Sequence, residues 1–407
     1  MQQSLIQEWR GMAGPQKTAV WAAYLGWTLD AFDFFLLVFS VKAIAEAFGT
    51  DKTSVTQAIF YTLAIRPVGA LVFGLLAERF GRRPVLVIVV LAFSGLSALS
   101  GLVQTLTQLL IVRTAFGFAM GGEWGIGASL AMETIPPRLR GPVSGLIQAG
   151  YPSGALLASL AYYLFFDAIG WRGMFFLGLA PALFVLFVRL HVEESPQFTA
   201  RAKMPFAQPL RALAQHWKLV LYLTVLMTLF NSFSHGTQDL HATFLQSQRG
   251  LGTSVVGLIS IVGYLGAIVG AMCMGPLSLK IGRRRTIALS CGFALAVLPL
   301  WAWAPSPLLL GLGAFLMQAG VQGAWAMVPA HLNELSPPAA RALFPGMVYQ
   351  LGNLLSSYNV VVQSHLAEAR GDDYAFALAL FGGTVAVLLA LWAQLGPEKS
   401  TGELARA

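Results

Sequence analysis

Long apolar stretches separated by short polar ones dominate the chain, and their length predicts helices that cross a lipid bilayer. A membrane-spanning helix needs about 20 mostly apolar residues. By that measure the sequence contains twelve such segments, at approximately 19–41, 54–77, 84–104, 107–132, 140–166, 171–191, 217–246, 252–278, 285–304, 307–333, 341–367 and 374–395. The pattern therefore predicts an all-α membrane protein with twelve transmembrane helices.

The composition agrees with that prediction and excludes several other classes of protein. Only 11% of the residues are charged and 56% are hydrophobic, whereas an average soluble domain is about 25% charged. A soluble enzyme, a secreted disulfide scaffold and a disordered or nucleic-acid-binding chain are therefore excluded. The two cysteines, Cys273 and Cys291, lie in apolar stretches and predict neither a disulfide framework nor a metal site. We expect no enzymatic activity, no cofactor and no metal.

The distribution of basic residues predicts the orientation in the membrane. Most of the 26 Lys and Arg residues fall on one side if the segments alternate, and such an excess marks the cytoplasmic side. Both termini are then cytoplasmic, and the net charge of +8 needs no nucleic-acid partner. We expect a multi-pass protein of the cell (inner, plasma) membrane, in contact with the lipid bilayer. Its predicted parts are a cytoplasmic N-terminal tail (1–18), a six-helix bundle (19–191), a cytoplasmic central loop (192–216), a second six-helix bundle (217–395) and a cytoplasmic tail (396–407).

The two predicted bundles are copies of one another. A shift of 201 residues places Gly81-Arg82-Arg83 on Gly282-Arg283-Arg284, Glu133 on Glu334, and Pro136-Pro137 on Pro337-Pro338. Pseudo-symmetric halves of this kind are typical of secondary transporters, whose substrate site lies between the halves near the midplane of the bilayer.

Three stretches resemble known transporters. Gly74-Leu-Leu-Ala-Glu-Arg-Phe-Gly-Arg-Arg83 is similar to the loop 2–3 signature of the major facilitator superfamily, with Glu78 where Asp is usual. Asp30-Ala-Phe-Asp-Phe-Phe35 resembles the first span of the sialate:proton symporter family. The stretch Asn231–Thr243 fits that family's lactate permease pattern, Asn-x-x-Ser/Thr-His-x-Ser/Thr-Gln-Asp-x-x-x-Thr.

The resemblance implies proton-coupled uptake of an organic anion by alternating access, in a protein that functions as a monomer. Sialic-acid members carry two extra central spans, for which the stretch 192–216 has no room. That difference favours a small monocarboxylate such as lactate or pyruvate. Sialic acid, an aromatic acid or another organic acid remains an alternative, as does proton-driven efflux of amphipathic compounds, although the polar face of the seventh span speaks against efflux.

Charged residues inside the predicted spans are the first candidates for a site, because each costs about 2.5–3.5 kcal/mol on insertion. A carboxylate substrate needs a cation, and the planar guanidinium of arginine binds a carboxylate bidentately. Arg66 and Arg113 are the only Lys or Arg residues that lie inside the predicted spans and away from their ends. We expect Arg66, nearer the middle of its span, to bind the anion, with Arg113 as the second choice.

Polar residues in the second half are expected to complete the substrate site. Asn231, His235 and Gln238 lie on one face of the seventh span at the helical period. The shift of 201 residues also places Asp30 on Asn231, so the first and seventh spans present related polar faces. The predicted substrate-binding residues are Arg66, Asn231, His235, Gln238, Tyr349 and Asn353.

Proton coupling needs an acid that gains and loses a proton during the cycle. Asp30 and Asp33 share one face of the first span, because they are three residues apart. We expect one of them to carry the proton, with Asp239 next and Glu123 as a further candidate. The remaining charges lie in loops and suit a gating latch that holds one access state, formed by Glu78, Arg79, Arg82, Arg83, Glu133 and Arg140.

Overall fold

The computed structural model describes residues 5–179, 183, 186–187, 190–200 and 205–398, and every regular element in these ranges is helical. The predicted all-α class is therefore confirmed. The main helices are α1 (Leu5–Gly11), α2 (Gly14–Phe48), α3 (Lys52–Phe80), α4 (Arg82–Ser100), α5 (Leu106–Gly121), α6 (Glu123–Thr134), α7 (Arg140–Leu177), α8 (Ala207–Gln215), α9 (Trp217–Gln238), α10 (Thr253–Ile281), α11 (Arg283–Trp303), α12 (Pro307–Trp325), α13 (Val328–Leu335), α14 (Phe344–Ser356), α15 (Asn359–Glu368) and α16 (Tyr374–Leu395). Short helical turns are Pro137–Leu139, Pro196–Thr199, His241–Thr243, Phe244–Gln248 and Pro338–Ala340.

Each of the twelve predicted segments is mostly helical in the part that the structure describes, and 171–191 lies partly outside the described residues. The two predicted tails also lie partly outside them. Eight helical stretches in the described ranges are long and apolar enough to cross a membrane: Ser54–Phe80, Arg82–Ser100, Pro137–Leu177, Trp217–Gln248, Thr253–Ile281, Arg283–Trp303, Pro307–Leu335 and Tyr374–Leu395. Two of the other predicted spans carry buried charges that lower their hydropathy. These are Asp30 and Asp33 in α2, and Arg113 and Glu123 in α5 and α6.

Local chemistry sets the helix ends in the same way in both halves. Thr105 and Ser306, which are 201 residues apart, both cap the next helix by accepting a hydrogen bond from a backbone N–H in its first turn. Gly81 and Gly282 form the turns before α4 and α11 with φ of 107° and 91°. Only glycine adopts such angles without strain, so the turn requires this residue in each copy.

Helix contacts are repeated as well. A methyl group added at Gly69 in α3 would collide with the backbone carbonyl of Phe118 in α5. At the equivalent position in α10, a methyl group at Gly270 would collide with the carbonyl of Ala319 in α12. Small residues at these crossings let the backbones touch, which matters in a bilayer because lipid supplies little hydrophobic drive for helix association.

The described chain forms two compact units that do not follow the sequence halves strictly. The first comprises Met1–Leu139, Gly150–Trp217 and Ser336–Gln350, and the second comprises Arg140–Ala149, Lys218–Leu335 and Leu351–Ala407. The short segments 140–149 and 341–350 correspond under the shift of 201 residues. Each unit therefore incorporates the start of one helix from the other half of the sequence, α7 or α14.

The core of the first unit lies between α2, α4, α5 and α7. Its largest fully buried side chains include Phe93, Phe116 and Phe175, with Leu36 and Leu37 on one face of α2. This apolar layer fixes the rotation of α2, and it therefore fixes where the two aspartates of that helix point.

Candidate functional site

The two aspartates of α2 are fully buried in the first unit. Asp30 is 2% exposed and Asp33 is 0% exposed. A charge removed from water is very costly unless it is paired or hydrogen-bonded. The partners of these carboxylates therefore show which other residues belong to the site.

Asp30 pairs with Arg66, one of the two arginines predicted to bind an anion. Nη2 of Arg66 lies 3.4 Å from Oδ1 of Asp30 and 3.3 Å from the sulfur of Met120. The guanidinium also lies 5.8 Å from the ring centroid of Phe34. Among the described residues no acceptor reaches Nε of Arg66. The arginine is thus held in place by one long ion pair and keeps donors for a further acceptor.

Asp33 and Arg113 are a second acid and a second cation buried in the first unit. Ser97 donates a hydrogen bond to Oδ1 of Asp33 at 3.0 Å, and Oδ2 has no donor among the described residues. The guanidinium of Arg113 lies 3.8 Å from the ring centroid of Phe116 and 5.8 Å from that of Phe175. None of its nitrogens has a hydrogen-bond acceptor in the described part of the chain. This region therefore holds an acid and a cation that are buried without an ion pair.

Four aromatic side chains pack on one another, beginning one helical turn from Asp30, and the sequence predicted only one of them. The rings of Trp124 and Tyr349 are stacked at 4.7 Å, and Trp27 lies 6.3 Å from Trp124 and 6.2 Å from Tyr349. Tyr151 of α7 lies 5.3 Å from Trp27. We call these four residues the aromatic cluster. Trp27 precedes Asp30 by one helical turn, and that spacing was the signal that could have identified it.

Glu123 begins α6 beside the aromatic cluster and is 1% exposed. It follows the bend at Gly122 and precedes Trp124 in the chain. The structure therefore places this predicted second-choice acid in the same buried region as Asp30.

In the second unit the predicted residues form a mostly uncharged group. The side-chain amide of Asn231 donates to the carbonyl of Met227 at 2.8 Å. Gln238 donates to Gln318 at 2.8 Å and to Ser234 at 3.2 Å. Asn353, also predicted to bind substrate, is buried in the same unit.

His235 and Asp239 form the charged part of that unit's predicted site. Nδ1 of His235 lies 3.2 Å from Oδ1 of Asp239, and their side chains are 31% and 34% exposed. Asp239 is therefore far more accessible than Asp30 or Asp33, and it follows the last residue of α9.

Two of the residues predicted to form a latch, Glu78 and Glu133, contact Arg82 in the first unit, and all three lie near helix ends rather than in the predicted loops. Arg82 lies 3.3 Å from Glu78 and 3.1 Å from Glu133. Glu78 also accepts a hydrogen bond from the backbone N–H of Ala342. Arg83 donates to the carbonyl of Leu190 at 2.6 Å.

Arg79 and Arg140 are the other two residues predicted to form the latch. Arg79 stacks on Phe206, with its guanidinium 4.5 Å from the ring centroid. Arg140 begins α7 and is part of the second compact unit.

A similar cluster in the second unit was not predicted. Arg283 lies 2.9 Å from Glu334, and the position equivalent to Glu78 is Leu279. In both clusters a glutamate from a later segment accepts backbone N–H groups at the start of a helix. Glu194 accepts from Arg82 at 3.0 Å and Arg83 at 3.1 Å, and Glu398 accepts from Arg283 and from Arg284 at 3.3 Å. These glutamates were missed because nothing local distinguishes them from solvent-facing acids.

Sequence similarity to known proteins identifies the family of this chain. The sequence pattern of the Major Facilitator Superfamily matches residues 23–254 and 224–406. The chain belongs to this superfamily. It is therefore a multi-pass membrane transporter and not an enzyme, as the sequence predicted. No group of three metal-binding side chains occurs among the described residues of this superfamily member.

Relatives within the superfamily confirm the predicted resemblance. The chain is 29% identical to a carboxylic acid transporter protein homolog of Saccharomyces cerevisiae, over 97% of this chain and 70% of the relative. It is 30% identical to a probable 4-methylmuconolactone transporter of Cupriavidus pinatubonensis, over 92% of this chain and 91% of the relative. It is 26% identical to the sialic acid transporter NanX of Escherichia coli, over 91% of each chain.

Solved structures show the same fold at low sequence identity. The human organic anion transporter MFSD10 superposes with a TM-score of 0.75 at 16% identity, covering 94% of this chain and 100% of that one. The proton:xylose symporter XylE gives a TM-score of 0.74 at 18% identity, covering 96% and 98%. The helical arrangement is therefore that of the major facilitator fold.

Proposed function

We propose that this chain imports a small monocarboxylate, such as lactate or pyruvate, together with a proton by alternating access. The proposed architecture has twelve spanning helices in two pseudo-symmetric six-helix bundles, 19–191 and 217–395, joined by the loop 192–216. Both termini lie in the cytoplasm. The names of the relatives support an organic acid as the substrate, since they include carboxylic acid, muconolactone, muconate and sialic acid transporters.

The observation that carries the proposal is the buried Asp30–Arg66 pair. A single contact of 3.4 Å joins the two side chains, and Nε of Arg66 has no acceptor among the described residues. A guanidinium with donors to spare is suited to a carboxylate, which accepts two parallel hydrogen bonds from it. Arg66 is therefore the proposed anion-binding residue.

Charge balance explains how a proton is coupled to the anion. Arg66 and Asp30 are neutral as a pair, and a bound monocarboxylate adds one negative charge to a buried site. An uncompensated charge of that kind is very costly away from water. A proton on Asp30 restores neutrality, and the loaded site then crosses between access states without net charge. Substrate and proton consequently move together.

Asp33 and Arg113 are the second candidates for the same two roles. Asp33 has an oxygen without a donor, and Arg113 lacks an acceptor within the described ranges. We assign the primary roles to Asp30 and Arg66 because the two side chains already form an ion pair. An anion that binds to Arg66 therefore directly changes the surroundings of Asp30.

The second half is proposed to supply neutral contacts to the substrate. Asn231, Gln238 and Asn353 offer amide groups, and His235 is held by Asp239.

The Arg82 cluster with Glu78 and Glu133 is proposed to stabilise one access state, because its ion pairs are buried and would be exposed or rearranged in another state.

Uptake into proteoliposomes tests the function. Labelled lactate should accumulate when an inward proton gradient is imposed, and a protonophore should abolish the accumulation. Uptake that ignores the gradient would remove the proton from the proposal. Normal uptake by both Arg66→Ala and His235→Ala would show that the anion binds elsewhere.

A second candidate substrate is an aromatic or other unsaturated organic acid. The aromatic cluster of Trp27, Trp124, Tyr151 and Tyr349 favours it, since Trp27 lies one helical turn from Asp30 and its ring centroid is within 6.3 Å of the other three. The same transport assay with labelled benzoate in place of lactate compares the two candidates directly.

A further inference from the structure

We propose that Gln318 fixes the side-chain amide of Gln238 so that only its carbonyl oxygen is offered to the substrate, and that the second unit thereby selects acids that carry a hydroxyl group. The inference rests on the proposed function, in which Gln238 supplies a neutral contact to the imported acid. It adds Gln318 as a positioning residue, and it distinguishes hydroxy acids such as lactate from oxo acids such as pyruvate.

The orientation of the amides follows from hydrogen bonds that begin at the backbone of α9. The hydroxyl of Thr237 donates to the carbonyl of Phe233 at 2.9 Å and shares its proton with the carbonyl of Ser234 at 3.1 Å. A hydroxyl has one proton to donate, and Thr237 is only 1% exposed. Its Oγ1 can therefore only accept from other side chains, and a neighbour that contacts it must present an N–H.

Gln318 of α12 is that neighbour. Its Nε2 donates to Oγ1 of Thr237 at 3.4 Å, and its Oε1 accepts from Nε2 of Gln238 at 2.8 Å. With the amide of Gln318 reversed, its carbonyl would face an oxygen that has no proton left to donate. The polarity of Thr237 therefore sets the polarity of Gln318, and Gln318 in turn requires a donor from Gln238.

The amide of Gln238 has used its donors in these contacts. Nε2 carries two protons, and it donates to Gln318 at 2.8 Å and to Oγ of Ser234 at 3.2 Å. Oε1 of Gln238 accepts no hydrogen bond from the described residues. Because the side chain is only half-buried, this oxygen is the group that Gln238 still offers to a ligand.

An acceptor at this position selects the chemistry of the ligand. Carboxylate and keto oxygens only accept hydrogen bonds, whereas a hydroxyl also donates. A site built to bind a hydroxyl discriminates strongly against an analogue that lacks it. The adjacent Asp239 is already paired with His235 at 3.2 Å. An ammonium group would lose its hydration without gaining a counter-ion, so a neutral hydroxyl fits this site better.

The first half of the chain folds without these polar groups. Under the shift of 201 residues, the positions equivalent to Thr237, Gln238 and Gln318 are Leu36, Leu37 and Gly117. Leu36 and Leu37 are fully buried in the apolar core of the first unit. The helices therefore pack without hydrogen bonds at these positions, which indicates that the amides of the second half serve binding rather than the fold.

Lactate, pyruvate and propionate are matched probes, because each has three carbons and one carboxylate. Their second carbon carries a hydroxyl, a keto oxygen or two hydrogens, so it presents a donor, an acceptor only or neither. Titration calorimetry on the purified full-length protein at neutral pH should rank lactate first, propionate second and pyruvate last. Lactate should bind about tenfold more tightly than propionate. Any order that does not place lactate first and pyruvate last would overturn the inference.

Gln318→Met tests the positioning residue. It removes the acceptor that holds Nε2 of Gln238, so the freed amide can turn its N–H toward a keto oxygen. Pyruvate should then bind as tightly as lactate, and the affinity for propionate should stay the same. A residue with a structural role alone would instead weaken all three acids by the same factor, and that result would remove Gln318 from the proposal.

Thr237→Val and Thr237→Ser form a matched pair at the start of the hydrogen bonds, and they provide the test if Gln318→Met does not fold. Valine has nearly the same shape as threonine but no hydroxyl, so Gln318 can reverse and the preference for lactate over pyruvate should fall about tenfold. Serine keeps the hydroxyl and should keep the preference. An unchanged preference in Thr237→Val would show that Thr237 does not set the orientation.

The outcomes separate this inference from the proposed function. If lactate binds and accumulates while the three acids have equal affinities, import of a monocarboxylate stands and the selection of hydroxy acids is wrong. The same conclusion follows if pyruvate or propionate is imported in preference to lactate. If none of the three acids binds, both proposals are wrong.

Discussion

The two halves of this transporter share their helices and the charges at some helix ends, but not the charges in the middle of their spans. The caps at Thr105 and Ser306 and the glycine contacts of α3 and α10 are present in both copies. Five buried charged residues of the first half, which lie away from the Arg82 cluster at the helix ends, have neutral equivalents in the second half: Asp30 corresponds to Asn231, Asp33 to Ser234, Arg66 to Ala267, Arg113 to Ala314 and Glu123 to Ala324. The features that build the helices are duplicated, whereas the groups suited to bind an anion and a proton occur once.

The charge clusters at the helix starts show the same difference on a smaller scale. Arg82 pairs with two acids, Glu78 and Glu133, and Arg283 pairs with Glu334 alone among the described residues. Duplication therefore preserved the arginine and one acid, and the second acid exists only in the first half.

Arg66→Ala should reduce transport more than any other change, because it removes a buried cation of the first half that has no equivalent in the second half. We expect lactate uptake to fall about 1,000-fold, since the anion loses its partner and Asp30 becomes a buried charge without a cation. The measurement is initial uptake in proteoliposomes, normalised to reconstituted protein. Arg370→Ala, which removes an exposed arginine that lies over Phe376, should leave uptake unchanged. Retained uptake in Arg66→Ala would place the anion elsewhere, with Arg113 tested next.

Asp30→Asn gives the first half the side chain that the second half has at the equivalent position. We expect counterflow of lactate to continue, because exchange needs no net proton movement, and accumulation driven by a proton gradient to disappear. Asp33→Asn is measured in parallel. The variant that keeps counterflow and loses accumulation identifies the coupling acid, and full activity of both variants would point to Asp239.

Glu334→Gln and Glu133→Gln compare the two charge clusters. Breaking a buried ion pair costs about 3 kcal/mol, and after Glu334→Gln the guanidinium of Arg283 has no ion-pair partner among the described residues, since Glu398 contacts only backbone N–H groups. Arg82 still contacts Glu78 after Glu133→Gln, so the loss should be about half as large. Melting temperatures of the purified variants measure the difference. Equal losses would show that the second acid of the first half adds nothing to stability.

Gly69→Ala and Gly270→Ala test the part of the molecule that is duplicated. Both methyl groups would meet a backbone carbonyl, and we expect equal destabilisation of about 2 kcal/mol. Gly95→Ala and Gly292→Ala are the controls, since no atom lies within 4 Å of a methyl group at either position. They should be neutral or slightly stabilising. A large difference between Gly69→Ala and Gly270→Ala would contradict the equivalence of the two crossings.

Much of the site could be found from the sequence because buried charges are rare in apolar helices. That argument identified Asp30, Asp33, Arg66 and Arg113 without any knowledge of their contacts. It missed Trp27, because an aromatic residue in an apolar helix looks like any other part of the core. It also missed Glu194 and Glu398, which are recognisable only once they reach the backbone of a helix more than 100 residues away.

The sequence by itself determined the spanning helices, the repeat and the list of charges inside the membrane. Each of these depends on local length, hydropathy or a constant spacing, and all three can be read along the chain. Only the tertiary structure decided that Arg66 pairs with Asp30, that four rings pack on one another beginning one helical turn from Asp30, and that Glu78 accepts from Ala342. Those contacts join residues from 36 to 264 positions apart. They depend on how each helix is rotated against its neighbours, which close packing sets and hydropathy does not.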